Sequence, residues 1–257
     1  MVDDGSTDDT LSILKSYTSS SLKVFENLNP GKVKAFNLGV EKSSGKWVCL
    51  FAGDDIMPQH SLAKRLDAVA SVSSEKPVVG LSRLIQISKI KKQNGIVIPR
   101  DPNRGGLTGT SYLMDRRAVA KFFPVPEELP NEDTWLEACV VHLDIEIVHS
   151  GVIGNQWRVH EGNSVNMLVP FREYNDKITK RMKAYPLFMD RHGSELSAES
   201  RCRLAAKVMC ERARAAGDMV GVLKSKAVLV DRLRALSSTN TAMYEVRRKL
   251  YGLLSGW

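Results

Sequence analysis

Hydrophobic positions in the first hundred residues follow two alternating spacings. Short apolar or β-branched runs, typical of buried strands, are separated by stretches that carry apolar residues at helical spacing. The predicted strands cover residues 22–25, 47–51, 78–81 and 96–98, and the predicted helices cover residues 10–17, 32–41 and 60–72. This alternation predicts an α/β fold.

The pattern changes character near residue 170. Before it, a loop rich in Gly, Pro and Asn is followed by further strands and helices, whereas after it Ala, Leu, Lys and Arg dominate and only helices are expected. The later predictions are a loop at 101–109, strands at 110–114, 145–149 and 152–159, and helices at 116–122, 133–143, 198–216, 219–236 and 243–254. We therefore predict two domains, residues 1–168 and a helical region of residues 169–257.

Charge supports this division. The 257-residue chain has a formal net charge of +8, and residues 171–257 hold 18 Lys and Arg against 9 Asp and Glu. Apolar positions among these charges, such as Leu223, Val228 and Leu233, leave open a peripheral contact with an anionic membrane, although a solvated face above ordinary helical packing is favoured. No nucleic-acid partner is expected, because no recognition motif accompanies the basic residues.

The sequence also restricts the cellular environment. No apolar run approaches the ~20 residues that cross a bilayer, and the first residues are acidic, unlike those of a secretory signal. The four cysteines lack disulfide or zinc spacing and predict free, mostly buried thiols. We expect a cytoplasmic protein, with the inner face of the membrane as a further option.

Two pairs of carboxylates follow predicted strands. Asp3 and Asp4 precede a turn glycine, so they serve either as turn and capping residues or as hydrogen-bond acceptors for a nucleotide at the carboxyl edge of the sheet. Asp54 and Asp55 follow the strand at 47–51 almost directly. Adjacent acids at the end of a buried strand are costly without a cation, and their oxygens suit Mg²⁺ or Mn²⁺ that bridges to substrate phosphates.

Between these two acidic pairs, residues 29–39 form a glycine turn and the beginning of a short helix. Lys32 and Lys34 lie on the first turn of that helix. Their charges either approach a diphosphate or remain solvated. Together with the acidic pairs, the simplest hypothesis is a site for a metal ion and a diphosphate.

Three segments resemble, in order and in spacing, the nucleotide-binding motifs of family 2 glycosyltransferases. They are VDDGSTDDT at 2–10, NPGKVKAFNLG at 29–39 and FAGDDIMP at 51–58. The resemblance implies a GT-A fold, in which flanking helices cover a Rossmann-like mixed sheet. It also implies that Asp3 or Asp4 contacts the base or ribose of a nucleoside-diphosphate sugar, and that Lys32 and Lys34 lie near its diphosphate.

The resemblance assigns the family's DxD-type motif to Asp54 and Asp55. Asp55 is the preferred ligand of Mg²⁺ or Mn²⁺, and Asp54 contacts the metal or the ribose. The common motif has a further Asp two positions before Asp54, where this chain has Ala52. Further along, the chain resembles the family's Arg-x-His segment, which implies that Arg158 and His160 lie at the diphosphate or the metal.

The segment NEDTW at 131–135 occupies the position where the family carries its catalytic base. An inverting transfer needs one carboxylate to take the proton of the acceptor hydroxyl as that oxygen attacks the anomeric carbon. Asp133 is the candidate, with Glu132 as the alternative. Without the resemblance, Asn131 as a helix cap and two acids facing the helix dipole would be the simpler interpretation.

The resemblance also bears on the beginning of the chain. Family members place a strand and a helix before the VDDGS segment, so an incomplete first unit is expected here. The predicted function is inverting transfer of a sugar from a nucleoside-diphosphate donor, preferably a UDP-sugar, to a hydroxyl of a glycan or a lipid-linked saccharide. A truncated non-catalytic module of the same fold and a nucleotidyltransferase are the alternatives.

Overall fold

A computed structural model describes residues 1–254 apart from residues 18, 90, 92, 93 and 161–168, with side chains described to residue 250. This part of the chain contains seven strands. They are β1 (Val2–Asp3), β2 (Phe25–Glu26), β3 (Trp47–Cys49), β4 (Val78–Ile87), β5 (Val97–Ile98), β6 (Tyr112–Asp115) and β7 (Glu146–Arg158).

Helices separate and follow these strands. In the same described residues they are α1 (Thr10–Ser16), α2 (Lys32–Lys42), α3 (Ser61–Ala70), α4 (Arg116–Phe122), α5 (Asp133–His142), α6 (Phe171–Met182), α7 (Ala184–His192), α8 (Ala198–Ala215), α9 (Met219–Lys224), α10 (Leu229–Leu236) and α11 (Thr241–Leu254). The chain after residue 170 is helical throughout its described part, as the composition predicts. No helix in the described residues has both the length and the apolar content needed to cross a bilayer.

Five strands form one mixed sheet around β4. β6 and β5 pair antiparallel with successive stretches of one edge of β4, and β7 pairs in parallel along the other edge. β3 pairs antiparallel with β6 at the outside of the sheet. β1 and β2 form a separate parallel pair. The predicted α/β class, with a mixed sheet, flanking helices and a helical carboxy-terminal region, is confirmed.

The predicted pair of strands at 145–149 and 152–159 is a single strand, β7. Its pairing with β4 runs from Val78 to Ile87 and shifts register on either side of Arg83. Ser150 and Gly151, which separate the two predicted strands, lie in a bulge of the continuous strand. There the Ser150 hydroxyl accepts the Val152 N–H at 3.1 Å.

Two other boundaries differ from the prediction. The predicted helix at 219–236 is two helices, because Ser225 turns to extended backbone and its hydroxyl donates to the Val222 carbonyl at 2.7 Å. The predicted strand at 110–114 begins as a 3₁₀ turn at Gly109–Ser111 before β6 starts. Both differences arise from local side-chain and backbone hydrogen bonds that apolar spacing does not report.

The main core joins the sheet to the carboxy-terminal helices. Met114 of β6, Trp135 of α5, Phe188 of α7 and Leu204 of α8 belong to one cluster and are fully buried. The predicted division between residues 168 and 169 stays a prediction, and it falls in a stretch outside the described residues. Apolar packing nevertheless continues across it.

A buried arginine holds two of the carboxy-terminal helices together. Arg214 of α8 is 2% exposed, and its guanidinium donates to Glu211 Oε2 at 2.6 Å, to Asn175 Oδ1 at 2.5 Å and to Thr179 Oγ1 at 3.1 Å. Asn175 and Thr179 lie on α6, so this network fixes α6 against α8. The position of α6 matters for the site, because its last turn reaches α5.

Candidate active site

The first acidic pair lies at the end of β1 and accepts hydrogen bonds from the two neighbouring loops. Asp4 Oδ1 accepts Asn27 Nδ2–H at 2.7 Å and the Gly31 N–H at 2.8 Å. Gly31 has φ 151°, a conformation that side chains rarely adopt, and it immediately precedes α2. Asp4 thus links the end of β1 to the start of the helix that carries Lys32.

Asp3 is the more buried member of this pair. It is 5% exposed, and its Oδ2 accepts the Ser6 N–H at 3.2 Å. Its Oδ1 is buried and has no hydrogen-bond partner among the described residues. A buried carboxylate oxygen without a donor is unfavourable, and the N–H of a base or the hydroxyl of a ribose would satisfy it.

The second acidic pair lies in the loop after β3 and is attached to the end of β7. Asp55 Oδ2 accepts Asn155 Nδ2–H at 2.7 Å, and Asp55 Oδ1 accepts the Arg158 N–H at 3.1 Å. Ile56 and Gln156 exchange backbone hydrogen bonds beside them. Burial raises the pKa of the Asp55 carboxyl, and the hydrogen bonds from Asn155 and Arg158 oppose that shift.

Asp54 and His160 meet at the surface next to Asp55. His160 Nε2 lies 3.0 Å from Asp54 Oδ2, and the two side chains are 45% and 51% exposed. In the described residues no group of three His, Cys, Asp or Glu side chains converges to hold a metal. The exposed carboxylate still suits a hard cation that keeps water and phosphate ligands. Residues 161–168, which continue the Arg-x-His segment, lie outside the described residues.

The third acidic pair begins α5. Asp133 Oδ1 accepts the Gly109 N–H at 2.9 Å, and Asn131 Nδ2 lies 3.4 Å from Asp133 Oδ2. A Cβ on Gly109 would lie 2.5 Å from Glu132 Oε1 and 2.7 Å from Asp133 Oδ1, so a larger residue there would displace both carboxylates. The alternative interpretation, in which Asn131 caps the helix, is wrong, because Glu132 occupies the N-cap and makes no side-chain capping bond.

Glu132 is buried and is paired with the lysine of the second motif. It is 3% exposed, and its Oε2 lies 3.1 Å from Lys32 Nζ. Burial raises the pKa of the Glu132 carboxyl, the charge of Asp133 raises it further, and Lys32 lowers it. Lys34 is half-buried beside Gly31 and takes part in no ion pair with a described residue. The two lysines expected at a diphosphate therefore differ in their contacts, because Lys32 forms an ion pair with the acidic pair of α5 and Lys34 does not.

Comparisons with known proteins point to glycosyltransferases. Residues 1–74, which hold the first two acidic pairs, match the family model for glycosyl transferase family 2. The likeness to that family therefore covers less than a third of the chain. An uncharacterized glycosyltransferase of Nostoc sp. is 26% identical over 161 residues, which cover 55% of this chain. The matched region spans about half, 48%, of that relative's length.

A solved structure extends the fold comparison to nearly the whole chain. The crystal structure of S. aureus TarS 1-349 is 18% identical and superposes with a TM-score of 0.50, covering 97% of this chain and 80% of that one. At this level of identity the likeness shows the fold alone, which is a GT-A arrangement with the carboxy-terminal helices included.

Two residues at the candidate site were missed by sequence reasoning. Asn155, 1% exposed, bridges Asp55 to Thr110 Oγ1 at 3.0 Å. Arg181, on the last turn of α6, donates from Nε to Thr134 Oγ1 at 2.7 Å, and its Nη2 lies 3.4 Å from Asp133 Oδ2. Neither contact leaves a local pattern, because each joins residues more than 40 positions apart.

Proposed function

We propose that the chain transfers a sugar with inversion from a nucleoside-diphosphate donor, preferably a UDP-sugar, to a hydroxyl of a glycan or a lipid-linked saccharide. The observation that carries this proposal is the fixed carboxylate of Asp133. Gly109 from the sheet side and Arg181 from the helical side both donate to it. A base held in this way is oriented before the acceptor arrives.

The chemistry follows from this geometry. The acceptor oxygen attacks the anomeric carbon while Asp133 takes its proton, and the bond to the diphosphate breaks with its electron pair remaining on the leaving oxygen. The buried Glu132 is the weaker candidate for this role, because it is 3% exposed and its Oε2 faces the Lys32 ammonium at 3.1 Å. Glu132 and Lys32 instead support the beginning of α5.

The donor is expected to bind along the first two acidic pairs. The free Oδ1 of Asp3 supports a contact with base or ribose, and Asp4 holds the loop that leads to α2. Asp54, Asp55 and His160 would hold a Mg²⁺ or Mn²⁺ ion. That ion would neutralise charge on the leaving diphosphate. Arg158 reinforces this edge of the site, since its charge lowers the pKa of Asp55.

Isothermal titration of the purified chain with UDP, with and without Mn²⁺, tests the donor site. We expect binding that depends on the ion, its loss in Asp54→Asn and Asp55→Asn, and its retention in Asp133→Asn. Asp67→Asn is the matched control, because this exposed carboxylate lies on α3. Ion-independent binding would contradict the metal site, and no binding at all would favour the non-catalytic module.

Transfer itself is tested by the release of UDP in the presence of candidate acceptors. Asp133→Asn should abolish release while leaving donor binding intact. Full turnover by this variant would exclude Asp133 as the base. We also propose a cytoplasmic location at the inner face of the membrane, for which the charge of the carboxy-terminal helices is the support.

A further inference from the structure

Helices α9 and α10 and the turn between them present apolar side chains to solvent. The outward residues are Val220, Leu223, Val228, Leu229, Val230 and Leu233, and each keeps between 55% and 62% of its surface exposed. We call these six residues the apolar face. The packing expected for Leu223, Val228 and Leu233 is therefore absent, since the structure leaves them on the outside.

The helices bury their smaller side chains instead. Val222 of α9 and Ala235 of α10 pack with Cys210 in a small core. Successive residues of a helix are about 100° apart, so Leu233 points almost directly away from Ala235. Leu229 lies one turn before Leu233 on the same outward side. Burial of large apolar side chains supplies most of the free energy gained in helix packing. In this orientation the large side chains stay exposed, so that free energy is gained only if another surface covers them.

Basic residues border the apolar face. Lys224 ends α9 and Lys226 lies in the turn before Val228, and both are exposed. Neither forms an ion pair with any residue that the structure describes. Beside them, a cavity of about 430 Å³ opens between α8 and α9 and is lined by Arg212 and Lys224 together with Met209. Asp218 also lines this cavity, and its Oδ1 accepts the Gly221 N–H at 2.8 Å.

We propose that the apolar face docks this chain on an anionic lipid bilayer. The apolar side chains would enter the boundary between headgroups and acyl chains, while Lys224, Lys226 and Arg212 meet lipid phosphates. A second copy is a poorer occupant, because two-fold pairing of this face would set its basic border against an identical one. The inference is independent of glycosyl transfer, although a lipid-linked acceptor would be presented at the same surface.

Vesicle flotation of the purified chain tests the proposal. Vesicles of phosphatidylcholine alone are compared with vesicles of an equimolar mixture with phosphatidylglycerol. We expect binding to the anionic vesicles only, weakened by added salt. Lys224→Gln combined with Lys226→Gln should weaken binding roughly 30-fold, since each lysine near such a surface contributes about fivefold. Leu229→Gln combined with Leu233→Gln should weaken it at least tenfold.

Control substitutions are available elsewhere on the surface. Ile13→Gln removes a similarly exposed apolar side chain from α1, and Lys64→Gln removes an exposed lysine from α3. These controls should bind anionic vesicles as the wild type does. Equal binding to both kinds of vesicle, or equal losses in the controls, would overturn the proposal. So would a dimer, detected by light scattering, that Leu229→Gln and Leu233→Gln dissociate.

Discussion

Arg181 connects the carboxy-terminal helices to the proposed base, and its replacement has a calculable effect. Its bond to Thr134 Oγ1 is 2.7 Å long, and its pair with Asp133 spans 3.4 Å between side chains that are 21% and 25% exposed. The hydrogen bond contributes about 1 kcal/mol, and the partly exposed ion pair about 1 kcal/mol more. The sum of about 2 kcal/mol corresponds to about a 30-fold change in the population of the oriented carboxylate.

We expect Arg181→Gln to lower kcat for sugar transfer by about 10- to 30-fold. The KM for the donor should stay nearly unchanged, because Asp3 and Asp55 lie on other elements. Release of the nucleoside diphosphate at increasing donor concentration measures both quantities. Arg172→Gln is the matched control, since Arg172 is exposed on the same helix.

Three outcomes separate positioning from other roles. Arg181→Lys should retain part of the activity, because the ammonium keeps the charge but cannot reproduce the fork of two donors. An unchanged kcat in Arg181→Gln, or an equal loss in Arg172→Gln, would refute the positioning role. A higher donor KM with normal kcat would place Arg181 at the donor instead.

Three further substitutions test the site and its support. Gly109→Ala would bring a Cβ to 2.5 Å from Glu132 Oε1, and we expect the free energy of unfolding in urea to fall by about 1–3 kcal/mol. Gly53→Ala, with open space around its Cβ, should change that free energy little. Glu132 has a raised pKa in the fold, so its contribution to stability falls as pH rises from about 4.3, the usual unfolded value, through the folded pKa. Glu132→Gln should remove this decline in unfolding free energy, and the exposed Glu127→Gln should preserve it. Arg214→Met should cost about 3 kcal/mol in the same assay, because it leaves a buried network without its cation.

The positions of the first two acidic pairs could be predicted because their signals are local. Asp3, Asp4, Asp54 and Asp55 each follow a short apolar run, and the ends of strands are where α/β folds bind nucleotides. In the structure Asp3 ends β1, Asp4 follows it directly, and Asp54 and Asp55 lie in the loop after β3. Which oxygen is left without a donor could not be predicted, because that depends on loops brought in from elsewhere in the chain.

Long-range partners explain most of what the sequence did not reveal. Asn155 lies 100 residues from Asp55, and Arg181 lies 48 residues from Asp133. An isolated Asn in a strand or Arg on a helix has no distinguishing pattern, and the ordinary expectation for each is solvent exposure. The exposure of Leu233 was not the favoured expectation for a related reason, since apolar spacing identifies an amphipathic helix but not the surface that covers it.

The helical region and the sheet domain act on the proposed base from opposite sides. Gly109 reaches Asp133 from the 3₁₀ turn before β6, and Arg181 reaches it from α6. α6 is in turn fixed to α8 by Arg214, and α7 and α8 share the apolar core of the sheet. Orientation of the base therefore depends on packing that lies outside the family motifs. A site supported in this way is preorganised, so substitutions in the carboxy-terminal helices should alter turnover before they alter donor binding.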